Sequence, residues 1–331
     1  MSEKTLKEIV RTELYKAKLN KHGYYRYLSG VIRGAGELHF TPQGFALEIQ
    51  HTDERLVLSV RNLVEKLYGV TPETGSNVKN VGYTSDRFYS IVIPQEISTD
   101  LLDKAKIVKN KYTFTQGIPE SFIKNEDDKR VYLRGLYLAC GAIRVPDEKI
   151  SGSETKKSTG YTLSFNLNSD LVKEDVIRIL CSEAQIESVH VRKKKEGSGI
   201  YLKDSEAICS VLTAMGCNEA PLKIYQIVVA RKMLNDLNRA RNCDVANIDK
   251  TVKAVARQIE AIEKLKENGE YASLSRELKE TCEMRLKHPE LGIEQLGAEF
   301  TPPLTKSCIN HRFRRVVELA FGEKEQGKNK A

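Results

Sequence analysis

Polar and apolar positions follow two rhythms along the chain, and the order of those rhythms repeats. Residues 6–17 place Leu6, Ile9, Val10, Leu14 and Ala17 on one face of a helix. Residues 27–36, Tyr-Leu-Ser-Gly-Val-Ile-Arg-Gly-Ala-Gly, form an apolar helical stretch with small residues four apart, Gly30 and Gly34. Next, Phe45, Leu47 and Ile49 alternate with Ala46, Glu48 and Gln50, which is the pattern of a half-buried strand. Pro42 and Gly44 supply the turn that pairs it with residues 37–40 as a hairpin. Asp53 is placed to cap a helix that buries Leu56, Val60, Leu63, Val64 and Leu67 and stops near Gly69. A second hairpin covers 77–83 and 87–93, and a short helix is predicted over 101–108.

The plan then recurs. Residues 132–141, Tyr-Leu-Arg-Gly-Leu-Tyr-Leu-Ala-Cys-Gly, repeat the small-residue helix with Gly135 and Ala139. A hairpin follows with a long, polar, basic tip at 151–160. In its return strand, 161–168, Tyr161, Leu163, Phe165 and Leu167 point inward. Asp170 starts a helix burying Val172, Val176, Ile179 and Leu180; a hairpin over 188–203 and a closing helix over 205–215 complete the unit. Each half is helix, hairpin, helix, hairpin, helix. Small residues four apart share one helical face and let another helix come close. The two repeated helices are therefore expected to pack on each other across an approximate two-fold axis, through Gly30, Gly34, Gly135 and Ala139. The fold class is a pseudo-symmetric α+β domain of two αββαββα halves, 1–109 and 110–219.

Beyond Pro221 the strand rhythm disappears. Helices are predicted over 222–238 and 248–266, separated by a polar break at 242–247. Ser273 is a candidate cap for a helix that runs to Leu286. Two short helices, 293–300 and about 307–320, flank Thr-Pro-Pro-Leu-Thr-Lys. This all-α part spans 220–322, with a helix-turn-helix at about 274–320, and a polar tail, 323–331, is expected to be disordered.

Composition narrows the classes. The chain has 331 residues, 40% hydrophobic and 30% charged, which suits a protein with ample core. No apolar run approaches the ~18 residues of a membrane span, and the Lys- and Glu-rich N-terminus has no signal-peptide core. A cytoplasmic protein is expected. The seven cysteines are odd in number and show no C-x-x-C, so reduced thiols are expected. The six histidines form no H-E-x-x-H, and there is no phosphate-binding glycine loop. No cofactor and no metal are expected.

The net charge of +8 is a mild push toward polyanions, and its placement says more. Between Pro302 and Val317 stand Lys306, Arg312, Arg314 and Arg315 with no acid, and Asn310 and His311 add donors and acceptors. Ser307 is a candidate N-cap. Cations for phosphates with Asn or Arg for base edges are what a major-groove helix carries. Gly297 sits where a tight approach is useful. The bland alternative is a solvated basic helix in a small bundle. A second basic set, Lys156 and Lys157 at one hairpin tip and Arg192, Lys193, Lys194 and Lys195 at another, would track phosphates if both tips face one way, and is otherwise a pair of solvated loops.

Residues 28–36 and 133–141 resemble the LAGLIDADG motif of homing endonucleases. With Asn-Arg-Ala-Arg-Asn-Cys-Asp-Val-Ala-Asn-Ile-Asp-Lys-Thr-Val at 238–252 and Ser-Cys-Ile-Asn-His-Arg-Phe-Arg-Arg at 307–315, nearly the whole chain is similar to the WhiA family of bacterial regulators. The resemblance implies a LAGLIDADG-like domain joined to a helix-turn-helix that resembles region four of sigma factors. It implies binding to double-stranded promoter DNA in the nucleoid, and roles in sporulation-linked transcription and in cell division or chromosome segregation. In the nucleases the penultimate motif residue is an acid that holds a divalent metal. Here Ala35 and Cys140 stand at those positions, and Arg33 and Leu138 replace the earlier acid. Glu37 is a conceivable substitute, but its counterpart is Ala142. A regulator without catalysis is expected. The alternatives are docking on RNA polymerase or a sigma factor, and a residual nuclease.

Overall fold

The computed structural model describes residues 4–322 apart from 42–43, 82–83, 111–112, 116, 147–159, 168, 185, 187–188 and 194–197. Two compact units divide the chain, 1–231 and 232–331. Among the described residues no helix is long and apolar enough to cross a membrane.

Unit 1 opens with α1 (Leu6–Lys16), started by a reciprocal capping box between Thr5 and Glu8. The first half follows as α2 (Gly23–Ala35), β1 (Gly36–Thr41), β2 (Gly44–His51), α3 (Glu54–Tyr68), β3 (Glu73–Val81), β4 (Thr84–Ile93) and α4 (Gln95–Lys104). Asp53 caps α3 by accepting from the Arg55 amide, and Gly69 ends it at φ 68°, a left-handed conformation that costs glycine little. The short helix expected at 101–108 instead occupies 95–104. Pro94 has no amide to lose at a helix start. Val108 is drawn into a two-stranded ribbon of β5 (Val108–Asn110) and β6 (Thr113–Phe114).

The second half repeats the order as α5 (Glu126–Cys140), β7 (Gly141–Arg144), β8 (Thr162–Leu167), α6 (Asp170–Glu183), β9 (His190–Lys193), β10 (Ser198–Leu202) and α7 (Ser205–Ala214). The two antiparallel sheets run β1-β2-β4-β3 and β7-β8-β10-β9, the same order in each half. Alternation sorts each strand into two faces. Phe45, Leu47, Ile49, Ile91 and Ile93 of the first sheet and Leu163, Phe165, Leu167, Ile200 and Leu202 of the second are buried in one continuous cluster with α2 and α5.

From Glu219 to Glu267 runs a single helix, α8. The expected break at 242–247 does not form. That stretch is polar but holds neither Gly nor Pro, and polarity alone does not stop a solvent-exposed helix. Gly269, at φ 74°, follows its end, with a 3-10 turn over Glu270–Ser273. α9 (Arg276–Lys287) is therefore preceded by Ser275, not capped by Ser273. α10 (Ile293–Ala298) and α11 (Lys306–Phe321) complete unit 2. Its core holds Ala261, Ile262, Leu265, Cys282, Leu296, Ile309, Phe313 and Val316, all buried. The expected tail, 323–331, lies outside the described residues.

Candidate nucleic-acid interface

The repeated helices meet where their side chains vanish. A Cβ built on Gly30 would stand 2.3 Å from the Tyr132 carbonyl oxygen, and one on Gly135 would stand 2.2 Å from that of Tyr27. At Gly34 it would meet the Ala139 Cβ at 2.7 Å. Gly30 and Gly135 thus each receive the backbone of the opposite helix, and the reciprocity is that of a two-fold pair. Three arginines, Arg11 and Arg134 buried and Arg33 half-buried, brace this centre on backbone oxygens. Arg11 donates to the Leu138 carbonyl at 3.2 Å and pairs with Asp53 at 2.7 Å. Arg33 reaches the carbonyls of Lys106 and Gly117 at 2.8 and 2.6 Å. Arg134 holds that of Met215 through two nitrogens, each at 3.2 Å.

Ala35 and Cys140 are the last residues of α2 and α5. A methyl group offers no electrons to a cation. Burial pushes the Cys140 thiol up to about 12, so it stays protonated at neutral pH, and the thiolate is the ligand form. Magnesium needs hard oxygen donors. These residues do not fit the divalent ion of the nucleases. Among the described residues no group of three or more His, Cys, Asp or Glu stands together to hold a metal. Glu37 is exposed on β1 opposite Glu48, and its counterpart Ala142 carries no oxygen donor in its side chain.

The open faces of the two sheets differ in charge. On the first, Glu37 and Glu48 are register partners, with Glu73 on β3. His39 lies 3.9 Å from Glu48, and Lys79 donates to Gln50 at 2.7 Å. On the second, a concavity of about 640 Å³ is lined by Arg144, Thr162, Ser164, Asn166, Arg192 and Lys203 among others, and by no acid among the described residues. His190 stacks on Tyr201 at its edge, with centroids 5.2 Å apart. Of the second basic set, Arg192 lies exposed on this face and Lys193 ends β9. Lys156, Lys157, Lys194 and Lys195 lie outside the described residues. Sequence reasoning missed Arg144 and Lys203. The signal was available, because both alternate with inward-facing Ile143 and Leu202.

In unit 2, α10 and α11 form a helix-turn-helix. A Cβ on Gly297 would stand 2.3 Å from the Leu304 carbonyl, and the Leu304 amide donates back to the Gly297 carbonyl at 2.9 Å. Only glycine admits that return of the turn. The cap of α11 is Thr305, whose hydroxyl accepts from the Cys308 amide, so Ser307 is an exposed first-turn residue and not the N-cap. Ile309, Phe313 and Val316 face the core. At about 100° per residue, Asn310, Arg314, Ser307, His311 and Arg315 occupy the arc turned away from that face, Lys306 stands at its edge beside the core face, and all six are exposed. Arg315 bonds Glu318 at 2.8 Å, one helical turn on. Arg312 departs from this group. It turns toward α9, donating to Thr281 Oγ1 at 3.2 Å and pairing with Glu277 at 3.5 Å.

Unit 1 is thus a LAGLIDADG-like protein whose metal positions have lost their oxygen donors, and unit 2 is a helix-turn-helix. Sequence profiles agree on each part. The WhiA N-terminal LAGLIDADG-like domain matches residues 25–108, the WhiA LAGLIDADG-like domain 129–234, and the WhiA C-terminal HTH domain 237–320. A "Probable cell division protein WhiA" of Thermoanaerobacter pseudethanolicus is 32% identical over 306 residues, covering 90% of this chain and 91% of the relative. One of the same name from Clostridium botulinum is 29% identical over 323 residues, 96% and 98% of the two chains. The crystal structure of full-length DUF199/WhiA from Thermatoga maritima superimposes with a TM-score of 0.54 at 22% identity, covering 98% of this chain and all of that one. The chain belongs to the WhiA family.

Proposed function

We propose that the protein is a sequence-specific DNA-binding transcriptional regulator that acts on double-stranded promoter DNA in the nucleoid and catalyses nothing. The observation that carries this reading is the exposed arc of α11, where Asn310, His311, Arg314 and Arg315 stand together on the side away from the core, with exposed Lys306 at its edge. Cations there set affinity through phosphates, while Asn310 and His311 shape base preference. The names of its relatives point to cell division, and the regulator's targets are placed in division, chromosome segregation or sporulation. The absence of oxygen ligands at Ala35 and Cys140 supports a role without strand cleavage. Domain limits of 1–109, 110–219 and 220–322 accompany this reading, with contacts from the second sheet's cations as a secondary footprint. Docking on RNA polymerase or a sigma factor is the rival use of the helix-turn-helix.

The test is genome-wide crosslinking to recover a bound motif, followed by titration of that duplex at several salt concentrations. Replacing Arg314 and Arg315 with Ala is expected to weaken binding and lower the salt slope by about two, near 0.9 per phosphate contact. Unchanged affinity and slope would move the site off α11. Capture of polymerase that is insensitive to both salt and DNA would favour the docking reading instead.

A further inference from the structure

Unit 2 carries a concavity of about 720 Å³ between α8, α9, α10 and the start of α11. Lys250 and Thr251 of α8, Arg285 of α9, Glu294 of α10 and Lys306 of α11 are among its lining. Three of these are cations, and the single carboxylate is Glu294. Arg285 is wholly buried. Its Nε donates to Gln258 at 3.0 Å, and its Nη1 donates to the carbonyls of Leu291 and His288 at 2.6 and 3.3 Å. Its Cζ lies 5.3 Å from the Phe313 ring centroid. Nη2 has no hydrogen-bond partner among the described residues.

A guanidinium withdrawn from water is costly unless its charge and its donors are met. Arg11 satisfies that rule with Asp53. Among the described residues Arg285 hydrogen-bonds only neutral oxygens and faces a ring, the Glu290 carboxylate acts on it without an ion-pair contact, and it lies in the wall of an open, cation-lined hollow. A purely structural arginine explains the bonds of Nε and Nη1. It leaves unexplained the spare donor and the two lysines that share its hollow.

We propose that this hollow binds a phosphate group, with Lys250 and Lys306 as rim cations and Arg285 as the buried one. Two sources carry that chemistry: the backbone of bound DNA, and a free small phosphate ester. Lys306 lines the hollow and stands at the edge of the exposed arc of α11. A free phosphate seated there would compete with DNA for that lysine.

The full-length protein is melted without DNA while sodium phosphate is titrated against sodium chloride at matched ionic strength. The proposal expects the transition to rise with phosphate above the chloride control, following the usual ligand linkage. It also expects a clearly smaller rise in Lys250→Ala, an exposed position that leaves the core intact. Equal rises in phosphate and chloride, or an undiminished phosphate effect in Lys250→Ala, would overturn it. DNA titrations then assign the source. A salt slope lower by about one in Lys250→Ala gives the site to the DNA backbone. An unchanged slope, together with the phosphate-dependent rise, gives it to a free ester. The melt contains no DNA, so its outcome is independent of the DNA-binding reading.

Discussion

Replacing Gly135 with alanine adds one methyl group to the tightest point of unit 1. In an unconstrained helix the change would stabilise by about 1 kcal/mol, because alanine is the better helix former. Here the new Cβ would stand 2.2 Å from the Tyr27 carbonyl oxygen, whereas ordinary contacts begin at about 3.4 Å. The obstacle is backbone, so no rotamer relieves it, and α2 and α5 must part by more than ~1 Å. Leu28, Val31, Tyr132 and Leu136 are fully buried beside that contact and would lose packing with it. Overpacking of a filled core costs about 1–3 kcal/mol and occasionally more, so the net expectation is a loss of about 2 kcal/mol. Urea unfolding followed by far-UV circular dichroism measures it. Gly34→Ala supplies the internal control. Its Cβ meets the Ala139 Cβ at 2.7 Å, a contact that Ala139→Gly removes, leaving the Cys140 side chain at 3.2 Å. The double variant should recover most of the single variant's loss, since the helix propensities of the exchange cancel. A Gly135→Ala protein as stable as the parent, or more so, would refute the close approach.

Four further outcomes are expected. Thr305→Ala should cost about 1 kcal/mol of unit 2 stability through the lost cap, while Ser307→Ala should cost a few tenths at most, read by thermal melts. Gly297→Ala should abolish cooperative melting of unit 2, because the turn cannot return past a methyl group 2.3 Å from the Leu304 carbonyl. Arg312→Ala should lower stability yet leave the salt slope of DNA binding intact, since its guanidinium is engaged on α9. Burial pushes the Asp53 carboxyl up, but hydrogen bonds from Arg55 and Arg11 outweigh it and hold the group at about 2. A carboxylate lowered on folding stabilises above its unfolded value of about 3.9. That contribution, about 2 kcal/mol, should fade as pH falls from 4 toward 2. Asp53→Asn should flatten this part of the acid unfolding curve; an unchanged curve would refute the assignment.

Much of unit 1 is legible because its signals are local. Phe45, Leu47 and Ile49 alternate visibly, and Asp53 and Gly69 mark the ends of α3 by chemistry that acts within one turn. The pairing of α2 with α5 is legible because a small-residue pattern occurs twice. What escaped depends on partners distant in the chain. Arg312 looks like Arg314 until α9 is seen beside it. Thr305 and Ser307 are equally good caps on paper, and helix starts are ambiguous by such margins. Arg144 and Lys203 become neighbours only once the order β7-β8-β10-β9 is known. The continuity of α8 is hidden for a different reason: polarity at 242–247 resembles a break, although breaking a helix takes Gly, Pro or competing bonds. The loss of oxygen donors at Ala35 and Cys140 meant nothing until the motif was recognised.

The centre of unit 1 has a consequence for how freely the chain can drift. Gly30 and Gly135 press on carbonyls of the opposite helix, and Arg11, Arg33 and Arg134 end on carbonyls of Leu138, Lys106, Gly117 and Met215. Every amino acid carries a carbonyl. The receiving positions can therefore change identity without changing what they offer, while the glycines and arginines that reach them cannot. A saturation library of unit 1 should show this as a sharp asymmetry, intolerant givers facing permissive receivers. Ala35 and Cys140 stand one residue beyond the pair Gly34 and Ala139, outside that set of givers. A lineage could discard its metal ligands there and keep the architecture, because folding and cutting were never assigned to the same atoms.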